Sequence, residues 1–331
     1  MKSTLRYFIL FIGLILAGCS SDKVKVGLLI HSLDKERWEN DQKYFIESVN
    51  ELGGKVLVAV ADNDEQKQIQ QAQDLLKRKI QALVVIPVNQ YSAASIVDLA
   101  HNRSVPVISY DRLINNSRVD YYVSTDNIKI GEMQARYMMN RVPEGNYALI
   151  GGSEYDNNSR MLYLGQINIL QPYIERGDIF LVYRKFSKFW SEDEGYQMAT
   201  ECLDQNNNQV DAIIAGNDAI AYGVLRVLKE RGLEKKIAVA GMDADLRNVR
   251  EIVKGNQSMT VYKPIKTMAS TAAQISVKLI RGEKIEDCNS RVSNGSWLVP
   301  SVLLDALPVY KDNIRQTVIA EGYLTEKEIY Q

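Results

Sequence analysis

The stretch from Val105 to Asn115 reads VPVISYDRLIN. Pro106 opens it, and Val107 with Ile108 begins a short apolar run of the kind that forms a buried strand. The run passes without a glycine or proline break into Tyr110, Asp111 and Arg112, then into the apolar pair Leu113-Ile114. Two opposite charges at the carboxyl end of a parallel strand lie where open α/β sheets bind their ligands. Standing alone, the Asp-Arg dipeptide also reads as a surface ion pair closing a strand. The rest of the chain tilts the reading toward a site, because it repeats such polar strand ends.

Outward from this stretch, short aliphatic runs alternate with amphipathic helical patterns. Strands are expected at 24–30, 56–60 and 83–86, with helices at 38–52, 64–79 and 92–101. Beyond it the pattern restarts, with strands at 121–124, 147–150, 179–182, 212–215, 237–240 and 258–262. The intervening helices fall at 127–142, 160–173, 195–206, 219–231 and 245–253. A helix over 265–281, two extended pieces near Arg291 and Leu298, and a tail with helical character after Thr325 complete the chain. This spacing implies an α/β fold of two doubly wound parallel-sheet lobes with right-handed crossovers. A chain of 331 residues has room for two such units.

The amino terminus stands outside that pattern. Lys2 and Arg6 form a basic region before an apolar run from Tyr7 to Ala17. That run is about 11 residues, where a bilayer span needs about 20. It ends in Leu16-Ala17-Gly18-Cys19, the small residues and cysteine of a bacterial lipobox. Residues 1–18 are therefore expected to be a lipoprotein signal peptide, with Cys19 the lipid attachment point on an exported, membrane-anchored chain. Lys and Arg number 40 against 41 Asp and Glu, so no global field points to nucleic acid or an anionic surface. Cys202 is expected to be buried in a helix and Cys288 to lie in a polar loop, which leaves a disulfide between them open. The two histidines, His31 and His101, are too few and too scattered for a metal site.

Polar residues collect after the strands. His31, Ser32 and Lys35-Glu36-Arg37-Trp38 follow the first, and Asp111-Arg112 the fourth. Gly151-Gly152-Ser153 and Asp156-Asn157-Asn158 follow the strand at 147–150, and Asn217-Asp218 that at 212–215. Asp243 follows the strand at 237–240 and Lys263 that at 258–262. If all lie at carboxyl ends of parallel strands, they line one cleft between the lobes. The residue types fit a neutral polyol: carboxylates and amides exchange hydrogen bonds with hydroxyls, cations donate, and an indole covers the apolar face of a sugar. Mixed signs argue against a phosphate or dicarboxylate ligand. Plainer readings stand beside this one. Asn217-Asp218 and Asp243 with Asp245 also fit helix caps, and Trp38 and Trp190 also fit lobe core. No GxxxxGK[ST] accompanies the glycines, and no G-x-S-x-G elbow supports a Ser-His-Asp triad. Paired carboxylates without a general-acid context make a glycosidase the weaker alternative. The residues alone describe a non-enzymatic, exported binder of a small polar ligand, with no cofactor and no metal.

Six segments together carry a resemblance. They are Glu36-Arg37-Trp38, Tyr110-Asp111-Arg112, Gly151-Gly152-Ser153 with Asp156-Asn157-Asn158, Asn217-Asp218-Ala219, Gly241-Met242-Asp243-Ala244-Asp245 and Met259-Thr260-Val261-Tyr262-Lys263-Pro264. In this order they resemble the periplasmic pentose- and hexose-binding proteins of ABC sugar importers, the type I, ribose-binding-like family, and within it the xylose-binding branch. The likeness covers essentially the whole chain after the leader. It implies that Arg37, Asp111, Arg112, Asn158, Asn217, Asp243 and Lys263 hydrogen-bond a monosaccharide, D-xylose foremost, and that Trp38 and Trp190 sandwich its ring. Asp156 and Asn157 share a segment with Asn158, and which of the three points inward is left open. The family also implies three crossing strands, near Leu113, Lys263-Pro264 and Trp297. The lobes would then be 24–112 plus 264–297, and 113–263 plus 298–331. The implied partner is an ABC permease or, alternatively, a membrane histidine kinase or chemoreceptor, served by a monomer held to the membrane through Cys19. Repressor relatives carry a DNA-binding helix pair where this chain has its leader, so no nucleic-acid partner is expected. Two departures stand out: His31-Ser32 replaces acidic residues, and Ser187-Lys188-Phe189 replaces an Asp-Gly approach to Trp190.

Overall fold

The computed structural model describes residues 24 to 331, so the signal peptide expected over 1–18 and the lipidation site expected at Cys19 lie outside the described residues. The chain opens with β1 (Lys25–Ile30), α1 (Glu36–Glu51), β2 (Lys55–Val60), α2 (Glu65–Lys77), β3 (Ala82–Val85), α3 (Ala94–His101), β4 (Val107–Tyr110) and β5 (Tyr121–Thr125). It continues through α4 (Asn127–Arg141), β6 (Gly145–Ser153), α5 (Asn157–Arg176), β7 (Ile179–Ser187), α6 (Glu192–Gln205), β8 (Ala212–Ala215), α7 (Asp218–Glu230), β9 (Ala238–Ala240), α8 (Leu246–Lys254) and β10 (Thr260–Tyr262). The last part holds α9 (Ile265–Ile280), β11 (Ser290–Ser293), β12 (Leu298–Leu304), β13 (Leu307–Val309), a π-helical turn (Arg315–Ile319) and α10 (Glu326–Tyr330).

Two parallel sheets result. One has the order β11-β12-β5-β4-β3-β1-β2, antiparallel only at the β11–β12 hairpin. The other runs β7-β6-β8-β9, all parallel. β10 pairs antiparallel with β13 beside it. Each lobe thus begins with the same doubly wound winding, whose order reverses between β1 and β3 and again between β6 and β8. Crevices at such reversals are where these sheets hold ligands.

Side-chain alternation explains why both faces of the first sheet are covered. Leu28 and Ile30 pack with Phe45, Met268 and Ala272 under α1 and α9. Leu29, between them, packs on the other face with Leu75, Leu83 and Ile96 under α2 and α3. A strand buried on both sides needs apolar residues at every position, which is how β1 reads. The second lobe repeats this with Tyr147, Leu149, Ile213 and Val239 at its centre.

Sheet membership corrects the lobe boundaries read from the sequence. β5 pairs with β4, and β12 with β5, so both belong to the first sheet. After Asp111 the chain does not cross but doubles back. Asn294 Nδ2 donates to the carbonyls of Ile114 (3.0 Å) and Ser117 (2.7 Å), which pins the returning loop against the β11–β12 hairpin. The chain first leaves this lobe after Thr125, where Asp126 caps α4 by accepting from Lys129 N. The later passages are at Lys263-Pro264, between β10 and α9, and between β12 and β13. Trp297 is half exposed near the tip of the hairpin, where its contacts are with Arg118 and Asn294 of the same lobe. The crossing that the resemblance implies near Leu113 therefore falls later, after Thr125, because β5 returns to pair with β4 before the chain leaves the sheet.

Among the described residues Cys202 and Cys288 are free, and no helix is long and apolar enough to cross a membrane. Cys202 lies in the second lobe's core while Cys288 packs against the first, so the open disulfide is not formed.

Candidate ligand-binding site

Arg37 enters from the first turn of α1, immediately after the β1 exit loop. Its guanidinium meets three carboxylates through three nitrogens: Nε to Asp41 at 3.4 Å, Nη2 to Asp111 at 3.0 Å and Nη1 to Asp243 at 3.2 Å. Asp111 also takes Lys263 Nζ at 3.3 Å. Asp243 belongs to the second lobe, so this buried set bridges the cleft. Burial by itself raises the Asp111 carboxyl, but Arg37 and then Lys263 outweigh it and hold the group far below the usual carboxylate range. Asp41 lacks a second cation. Burial raises it, Arg37 and the donating Tyr110 hydroxyl oppose only in part, and its carboxyl stands at about 6.

The backbone at three of these places is left-handed: φ is 58° at Asp111, 58° at Trp190 and 101° at Asp243. Aspartate tolerates that region; tryptophan there is uncommon. Non-glycine residues persist in such conformations where their surroundings fix them, and they collect at ligand sites. At Asp111 the fixing is visible. Its carbonyl accepts from Tyr122 Oη (2.8 Å), Ser124 Oγ (2.8 Å) and, across the cleft, Asn158 Nδ2 (3.1 Å).

A second cluster lies beside the first. Arg112 Nε contacts Asp156 Oδ2 at 3.0 Å, and Trp190 Nε1 donates to the same oxygen at 3.2 Å. Asp156 Oδ1 accepts from Asn158 N, which caps α5. Burial raises the Asp156 carboxyl against the opposing pull of Arg112. Trp38 packs in the first core and borders both clusters, with the Arg37 and Arg112 guanidinium carbons 4.2 and 5.6 Å from its ring centre. Trp190 likewise belongs to its own lobe's core. Each indole is thus both core and site wall. Gly152 makes room for Trp190, since a Cβ there would overlap the indole.

The two sequence departures have clear places. His31 is buried edge-on against Trp38 at 4.5 Å. Burial first, then Arg112, Lys35 and Arg37, hold its imidazole well below the ordinary value, so it is neutral at neutral pH. The new approach to Trp190 is secured by Glu194, whose carboxylate accepts from Lys188 N (2.7 Å) and Phe189 N (2.9 Å). Ser187 Oγ accepts from Trp190 N at 3.2 Å. The altered segment therefore keeps Trp190 in the cluster.

Arg37, Trp38, Asp111, Arg112, Asp156, Asn158, Trp190, Asp243 and Lys263 are brought together in this way. Asn217 is buried nearby, its oxygen accepts from Ile220 N at 3.0 Å and caps α7, and its amide nitrogen carries no such cap bond. Sequence reasoning missed Asp41, Tyr110, Tyr122 and Asn127 as members. Asp41 was findable, because it follows Arg37 by four residues and so shares its helix face. Tyr122 was not, since its place depends on β5 pairing with β4, and neither was Asn127, whose Nδ2 donates to Asn158 Oδ1 at 3.0 Å only once α4 and α5 pack together. Three cations, Arg37, Arg112 and Lys263, face four carboxylates, Asp41, Asp111, Asp156 and Asp243. That near balance suits an uncharged ligand able to donate and accept. Outside it a cavity of about 470 Å³ is bordered by His31, Lys35, Arg112, Ser153, Lys188 and Trp190. Lys35 Nζ donates across the mouth to the Trp190 carbonyl at 3.0 Å.

Residues 26–284 match the family model of the periplasmic binding protein domain. The chain is 40% identical over 330 residues to the D-xylose-binding periplasmic protein of Haemophilus influenzae, covering 100% of this chain and 99% of that one. It is 39% identical over 307 residues to the protein of the same name from Escherichia coli, covering 93% of each. Among solved structures it is similar to a carbohydrate transporter solute binding protein from Chloroflexus aurantiacus in complex with D-glucose. There the TM-score is 0.86 at 25% identity, over 93% of this chain and 98% of that one. These relatives are binding proteins and not enzymes. With a family model spanning most of its length and these identities, the chain belongs to the periplasmic binding protein family, in its type I, doubly wound form.

Proposed function

We propose that this protein captures a monosaccharide, D-xylose, between its lobes and delivers it to an ABC permease, held to the membrane by a lipid on Cys19. The observation that carries the reading is the convergence of buried, charge-balanced donors and acceptors from both lobes, bordered by two indoles. Relatives that bind D-xylose match the chain at 39–40% identity, which selects that sugar within the class. In this reading Arg37, Asp111, Arg112, Asn158, Asn217, Asp243 and Lys263 exchange hydrogen bonds with the sugar. Trp38 and Trp190 cover its faces, and Asp156 orients Arg112 and Trp190. Charge-assisted hydrogen bonds of about 1.5–3 kcal/mol each reach the roughly 8 kcal/mol of a micromolar site with a few hydroxyls. Because contacts come from both lobes, the ligand favours the closed arrangement, and the three chain passages serve as the hinge.

Titration calorimetry and intrinsic tryptophan fluorescence against D-xylose, L-arabinose, D-ribose, D-glucose and D-galactose test the reading. D-xylose should bind saturably and most tightly; no saturable binding to any aldose overturns it. Labelled fatty acid should enter the protein in cells and be lost from Cys19→Ala, and an unlabelled parent chain removes the anchor from the proposal.

A further inference from the structure

Asp41 has no place among the proposed sugar contacts, yet the structure builds a site around it. It is buried on α1, one turn behind Arg37, and takes Arg37 Nε on one side and the Tyr110 hydroxyl on the other. The other two guanidinium nitrogens go to Asp111 and Asp243, which face the cleft from opposite lobes. A guanidinium is a rigid planar fork, so fixing the Nε edge fixes where the Nη pair points. We propose that Asp41, backed by Tyr110, is a positioning residue that holds Arg37 in its ligand-binding orientation and makes sugar affinity depend on pH. This rests on the sugar-binding reading above and adds a residue to it.

The surroundings of Asp41 can be named from every side. Arg37 lies on its own helix, Tyr110 and Asp111 face it from β4 and its exit, and Tyr262 and Tyr323 come from β10 and the carboxyl-terminal segment. Arg37 is thus the one cation among these neighbours, and it is shared with two other carboxylates. Asp111, by contrast, has Lys263 as well. Where Asp111 is lowered, the Asp41 carboxyl is raised to about 6, through burial incompletely offset by Arg37 and Tyr110. Protonation there removes the negative charge that holds Nε and leaves at most a weaker, neutral acceptor. Arg37 is then drawn onto Asp111 and Asp243 alone, the groups a sugar must also engage.

The test measures D-xylose affinity from pH 5 to pH 8 for the parent, Asp41→Asn and Tyr110→Phe, with thermal midpoints alongside. In the parent, affinity should fall as pH drops through about 6. Asp41→Asn should bind about tenfold or more weakly at pH 7.5, the scale of one charge-assisted hydrogen bond, and lose the acidic limb. Tyr110→Phe removes a donor that stabilises the ionised carboxylate, so its limb should move to higher pH. A shift of that limb is a readout that a purely structural role would not produce, and it stands even if Asp41→Asn fails to fold. A parent that binds D-xylose with a flat profile, or an Asp41→Asn protein that keeps both the affinity and the limb, overturns the inference. A parent that binds no sugar at pH 7.5 overturns the functional reading instead.

Discussion

Asp111 and Asp218 are both buried carboxylates just past the ends of parallel strands, one in each lobe, and their surroundings are opposite. Asp111 sits between two cations, Arg37 and Lys263, and is held far below the usual carboxylate range. Asp218 is met by neutral donors: Gln257 Nε2 at 2.9 Å, Thr260 Oγ1 at 2.8 Å and Asp245 N at 3.0 Å. Burial, then the nearby Asp245 carboxylate, push it well above that range. Asp218 ties α7, α8 and the approach to β10 together, whereas Asp111 joins the lobes. A polar residue at a strand end is therefore not yet a ligand residue. What separates the two is the sign of the neighbouring charge.

The largest effect that could break this comparison is Asp111→Asn. Asparagine tolerates a φ of 58°, so the backbone is spared and only the charge is removed. Arg37 and Lys263 are then left short of a partner, and breaking a buried pair costs about 3–5 kcal/mol. Sugar binding should fall below calorimetric detection, with a lower thermal midpoint. Affinity within a few-fold of the parent would show that Asp111 is as structural as Asp218.

Trp190→Ala comes next. Removing an aromatic wall should weaken sugar binding by about 1–3 kcal/mol, measured by titration calorimetry at a temperature where the variant is folded. An effect near zero would place the ligand elsewhere in the cleft and take the Asp156 cluster out of the site.

How much of this was legible in the sequence follows from the same contrast. The strands and helices were legible because each lobe buries both faces of its sheet, which forces aliphatic runs such as Val26 to Ile30 and clear helical stripes. Most residues of the candidate site were legible as polar breaks after those runs. What period and polarity do not encode is partner identity across the chain. Nothing in VPVISYDRLIN says that Asn294 turns the loop back, so a crossing expected near Leu113 puts β5 in the other lobe from the one it pairs with. Nothing in Asn217-Asp218 says that one caps α7 and the other is a buried knot, because both patterns look alike until Gln257 and Thr260 arrive from elsewhere.

Asp218→Asn should have the smaller effect that sharpens the comparison. An amide at this place turns one acceptor into a donor facing donors, a mismatch worth about 1–3 kcal/mol of stability. Sugar affinity should stay within about twofold, since no cation of the cleft depends on Asp218. A large loss of affinity with little loss of stability would reverse the assignment.

The smallest effect is also the most specific, because the two carboxylates must carry opposite pH signatures. Asp111 has a lowered folded-state value, so its contribution to stability is present above its unfolded value of about 3.9 and is lost as pH falls further. Asp218 has a raised one, so its contribution is fully present below about 3.9 and is lost as pH rises through the folded-state value. Urea midpoints measured from pH 3 to pH 8 should therefore show Asp111→Asn flattening the acid limb and Asp218→Asn flattening the decline above it. Asp41 and Asp245, each at about 6, share the second limb, so the quantity to compare is the difference from the parent. If both variants change the same limb, neighbouring charge does not set these two apart, and the cations around Asp111 must be compensated by groups other than Asp111 itself.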